Sequence, residues 1–151
     1  MGTGAGADES WRTHDATLAS AWSFCVERER RAIARLSDTL EHQVGAGMPE
    51  AVLRALQIAL DELLTNVVMH AMQADGSVEV EIARERGMVA TTIRYAAAAF
   101  DPTAWRPEAP LDAIAGARIG GHGIALVRAL MDEFRYAYRD GWNVVMVSKR
   151  W

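Results

Sequence analysis

The chain has 151 residues, 50% of them hydrophobic and 24% charged, with a formal charge of −4 and a single Cys. That length suits one domain with a sizeable core and excludes disorder as the main state. No stretch approaches the ~18 consecutive apolar residues a membrane span needs. One Cys excludes an internal disulfide framework or a Cys-rich zinc site, and the acidic balance argues against broad nucleic-acid binding. The opening Met1-Gly-Thr-Gly-Ala-Gly carries no basic or apolar leader pattern, so a cytoplasmic protein is expected.

Residues 1–8 lack periodicity and read as a flexible tail, leaving 9–151 as the domain. Trp11 to Leu18 is expected to form a first strand. From about Ser23 the pattern turns helical, with Val26, Ile33, Leu36, Leu40 and Val44 at spacings of three, four and seven. Cys25 would then lie on that helix as a buried thiol. Gly45 and Gly47 stop it, and Pro49 suits the start of the next. The second helix, from about Pro49 to Met72, carries the apolar stripe Leu53, Leu56, Leu60, Leu63, Leu64, Val67 and Ala71. Val78, Val80 and Ile82 alternate with Glu79 and Glu81 as a half-buried strand. A turn at Glu85-Arg86-Gly87 leads to a return strand on which Val89, Thr91, Ile93 and Tyr95 share one face.

Residues 96–119 contain four consecutive Ala and three of the four Pro, the composition of a lid, with a short helix expected near Leu111 to Ala115. A glycine-led helix follows from Gly120, and Phe134 to Ser148 reads as a hairpin turned by Asp140-Gly141. The order is β-α-α-β-β-lid-α-β-β. It predicts an α+β fold, a two-layer α/β sandwich with a mixed, mostly antiparallel sheet and helices on one face.

Two constellations could carry chemistry. Glu62, Asn66 and His70 fall at i, i+4 and i+8, one line beside the apolar stripe of the second helix. A carboxylate and an amide one turn apart can share a hydrated Mg²⁺ whose other ligands come from phosphates, or Glu62 can orient or deprotonate an attacking hydroxyl. Spacing alone favours the plainer alternative, a polar helix edge without a ligand. The second constellation is Gly120-Gly121-His122-Gly123 at a helix start. Glycines and free N–H groups there accommodate phosphate, and Arg118 stands two residues upstream. A tightly packed turn without a ligand explains the glycines equally well.

Leu60-Asp-Glu-Leu-Leu-Thr-Asn-Val-Val-Met-His-Ala71 resembles the N-box of the anti-sigma-factor serine/threonine protein kinases. These are small members of the GHKL (Bergerat) superfamily, which has the histidine-kinase-like ATPase fold. Phe100-Asp101-Pro102 resembles the segment after that family's first glycine box. Arg118-Ile-Gly-Gly-His-Gly-Ile-Ala-Leu-Val-Arg128 resembles its second, and Asp132, Tyr136, Asp140 and Asn143 continue the likeness to about residue 150.

The resemblance implies that Glu62 is the general base and that Asn66 holds Mg²⁺ on ATP. Arg118, Gly120, Gly121, His122 and Gly123 would meet the nucleotide. It also implies phosphoryl transfer to a Ser or Thr of a STAS-type anti-anti-sigma protein, sequestration of a sigma factor, no direct nucleic-acid contact, and the option of a homodimer. One departure stands out. Where the family has Asp-x-Gly before Phe-Asp-Pro, this chain has Tyr95 and Ala97, a degenerate adenine site. An unmade hydrogen bond to a buried donor costs ~1–3 kcal/mol, so a nucleotide-independent interaction module, regulating by stoichiometric binding, is the alternative function.

Overall fold

A computed structural model describes residues 20–70, 76–104 and 122–151. Their elements run β1 (Ser20–Val26), α1 (Arg30–Thr39), a π-helical turn (Leu40–Val44) and α2 (Glu50–His70). Then come β2 (Val78–Glu85), β3 (Met88–Ala96), α3 (His122–Leu130), β4 (Glu133–Arg139) and β5 (Trp142–Arg150).

The start of the first helix is corrected. Ser20 to Val26 is a strand, so Val26 and the exposed Cys25 belong to β1, not to a helix. Trp22, Phe24 and Val26 alternate at period two, and this aromatic and β-branched alternation outweighs the seven-residue step from Val26 to Ile33. Cys25 falls on the opposite parity and faces outward, where its thiol donates to Ser77 Oγ at 2.9 Å. The first strand expected at residues 11–18 and the short helix at 111–115 lie outside the described residues.

The five strands form one sheet in the order β1-β2-β3-β5-β4, and all four ladders are antiparallel. Register aligns the inward side chains in rows. Trp22, Ile82, Thr91, Val147 and Phe134 make one row; Phe24, Val80, Ile93, Val145 and Tyr136 make the next. A third row contains Tyr95, Asn143 and Tyr138. The last hairpin turns on Asp140 and Gly141, at φ 51° and 82°. Two positive-φ residues match the twist of the strands they join.

The helices cover the inward face. α2 has no Pro or Gly, and Val52, Leu56, Leu60, Leu63, Leu64 and Val67 are buried along its length. Its first turn hangs on the Pro49 carbonyl, which accepts from Val52 and Leu53. α3 packs on α2 and β4 through Ile124 and Val127. The outer face is polar, with an ion pair between Glu79 and Arg94 at 4.0 Å. No helix among the described residues is long and apolar enough to cross a membrane.

Candidate functional site

The line Glu62, Asn66, His70 runs along the second half of α2, and each residue meets a different part of the fold. Glu62 reaches the first turn of α3, where its carboxylate lies against Gly123. A Cβ built on that glycine would stand 2.7 Å from Glu62 Cδ and 3.0 Å from Glu62 Cβ. Burial raises the Glu62 pKa above its ordinary 4.5, and neighbouring Asp61 adds to the rise.

One turn on, Asn66 lines a recess with Leu63, Val67, Ile93, Tyr95, Phe100, Pro102 and Val145. Its amide nitrogen is buried and has no hydrogen-bond partner among the described residues. An unpaired buried donor is costly, and an acceptor such as a phosphate oxygen would satisfy it. At the end of the line, the His70 ring stacks on Phe100, with centroids 4.6 Å apart and planes at 16°.

Phe100 is held by a network that sequence reasoning missed. Asn143 is fully buried on the inward face of β5. Its Oδ1 accepts from the Phe100 N–H at 3.0 Å and from the Tyr136 hydroxyl at 2.6 Å. Its amide nitrogen donates to the carbonyls of Ala97 and Ala98 at 3.4 and 3.1 Å. Tyr138 donates to Ala97 as well, at 3.1 Å. From α3, Arg128 donates to the Thr103 carbonyl at 2.6 Å, and Asp101 Oδ1 caps the Thr103 N–H at 2.8 Å. The first residues of the expected lid, 97–104, are therefore bonded to β4, β5 and α3. The signal was available: Asn143 is a polar side chain at the parity of Val145 and Val147.

Tyr95 is 4% exposed and forms part of the recess wall. The Arg28 guanidinium lies 6.0 Å from its ring centre and donates to the Ala96 carbonyl at 2.8 Å. Burial, reinforced by Tyr136 and opposed by Arg28, pushes the Tyr95 phenol up to about 12, so it is neutral at physiological pH. The recess has an interior volume of about 10 Å³, the space of one water molecule. Tyr95 faces inward, as its parity on the strand predicts, and the Ala97 carbonyl accepts from Tyr138 and Asn143.

Of the remaining sequence candidates, Arg118, Gly120 and Gly121 lie outside the described residues; His122 opens α3. No cluster of three His, Cys, Asp or Glu side chains suited to a metal occurs among the described residues. A Mg²⁺ at Asn66 would take most of its ligands from phosphate and water.

A family profile described as the histidine kinase-like ATPase domain matches residues 26–149. The chain belongs to that family. Within it, the chain is 34% identical over 107 residues to the serine/threonine-protein kinase BtrW of Bordetella bronchiseptica, covering 69% of this chain and 75% of that protein. It is 33% identical over 109 residues to the serine-protein kinase RsbW of Listeria monocytogenes, covering 68% and 69%. The fold matches a solved structure of RsbU and RsbW domains from Mycobacterium tuberculosis with a TM-score of 0.63 at 15% identity. That match covers 87% of this chain and spans about a third, 32%, of the solved one. The Asn66 amide nitrogen has no partner among the described residues, the Glu62 carboxylate fills the space at Gly123, and Tyr95 stands where the resemblance places a carboxylate.

Proposed function

We propose that the chain is an anti-sigma regulator of the serine/threonine protein kinase type. It would phosphorylate a Ser or Thr of a STAS-type anti-anti-sigma partner and sequester a sigma factor. The observation that carries this reading is the Glu62 carboxylate lodged against Gly123 at the start of α3, with the Asn66 amide nitrogen, unpaired among the described residues, one turn away. The kinase names of the relatives support it.

In this reading Glu62 accepts the proton of the incoming hydroxyl. Partial burial suits it to that task, because a carboxylate with a raised pKa is the stronger base. Asn66 would hold Mg²⁺, and Arg118, Gly120, Gly121, His122 and Gly123 would hold the triphosphate. Bound Mg²⁺-ATP supplies the phosphoryl group and the neutralising charge. Arg128, Asp101 and Asn143 fix the 97–104 segment beside Asn66 and keep that wall of the site in place.

Titration of the purified protein with Mg²⁺-ATP, followed by phosphotransfer to a STAS partner, tests the proposal. Binding, with phosphotransfer abolished by Glu62→Ala, is expected. No binding at millimolar nucleotide removes the enzyme reading. One observation favours a second reading, a nucleotide-independent module acting by stoichiometric binding: Tyr95 is buried in a recess of only about 10 Å³. On that reading Glu62→Ala leaves partner release unchanged in a competition assay.

A further inference from the structure

Gly123 is the second residue of α3, in its first turn. Its φ is not among the positive values found at Gly47, Gly76, Gly87 and Gly141, so the backbone there does not call for glycine. What calls for it is space. A Cβ at this position would overlap the Glu62 carboxylate and press on the Glu62 stem at 3.0 Å.

We propose that Gly123 is a positioning residue for Glu62: its missing side chain lets the carboxylate lie against the first turn of α3, and any larger residue turns the carboxylate away. The overlapping atoms are the far end of a flexible side chain, so the fold can yield by swinging Glu62 outward. The loss would then fall on the placement of the carboxylate and not on folding. The raised Glu62 pKa agrees with a carboxylate partly covered in this position. The consequence for phosphotransfer rests on the Glu62 base of the proposed function; the packing does not.

The first test needs no nucleotide. In Gly123→Ala the Glu62 carboxyl, followed by ¹³C NMR, should titrate closer to an ordinary glutamate while the thermal midpoint is kept. An unchanged titration overturns the proposal. Should Gly123→Ala fail to fold, the Glu62→Ala/Gly123→Ala double variant decides: recovery of folding supports the overlap, and failure to recover overturns it. In the kinase assay, at saturating nucleotide, Gly123→Ala should lower kcat by about a hundredfold, the penalty for a misplaced catalytic group. A loss confined to nucleotide affinity, with kcat at the parental value, would make Gly123 a phosphate contact alone and overturn the assignment. If Glu62→Ala leaves phosphotransfer intact, the proposed function fails, and the NMR titration still judges the packing.

Discussion

Glu62 holds its proton more tightly in the folded chain than in the unfolded one, because burial first and Asp61 second raise its pKa above 4.5. Between pH 4.5 and the raised value, the native state therefore binds more protons than the unfolded state. Its contribution to stability is present below that window and is lost as pH rises through it. Glu62→Gln removes the charge while keeping the shape. Thermal unfolding should find the variant equal to the parent near about pH 4 and more stable than the parent near about pH 7. A constant difference across that range would place the effect elsewhere. The position of Glu62 beside the apolar stripe was legible from its spacing, whereas its partner was not, since residues 62 and 123 meet only through the packing of α2 on α3.

At the scale of elements, β5 does more than close the sheet. Through Asn143 it fixes the turn of chain that leaves β3, pairing two carbonyls, one backbone N–H and one hydroxyl with a single buried amide. Asn143→Ala strands these groups in the interior and should cost about 1–3 kcal/mol in urea unfolding. Hydrogen exchange at the Phe100 amide should accelerate in the same variant. If stability and exchange both stayed at parental values, the network would not be what holds the 97–104 segment. β2, β3 and the β4–β5 hairpin were legible because their alternation and turn residues agree with their pairing. The start of α1 was not, because β1 and α1 are separated by only three residues and one apolar residue, Val26, fits both periods.

For the whole molecule, one apolar cluster draws residues from both layers: Val26, Ile33, Leu56, Val80, Ile93, Val127 and Val145 belong to seven different elements. A core shared in this way unfolds as a unit. Far-UV circular dichroism, which follows the helices, and the fluorescence of the five Trp, of which Trp22 and Trp142 lie in the sheet, should give coincident transitions. Two separated transitions would show that the layers are energetically independent.

Local pattern by itself determined α2, the β2–β3 and β4–β5 hairpins, the two-layer arrangement and the parity along β2, β3 and β4, Tyr95 included, because amphipathic period and turn chemistry are properties of neighbours in the chain. Motif likeness pointed to the kinase family. Only the tertiary structure decided that Glu62 rests on Gly123, that the Asn66 amide nitrogen is unpaired among the described residues, and that Asn143 binds the segment after β3. Those contacts join residues dozens of positions apart, and their energies depend on burial and distance, which no local period encodes.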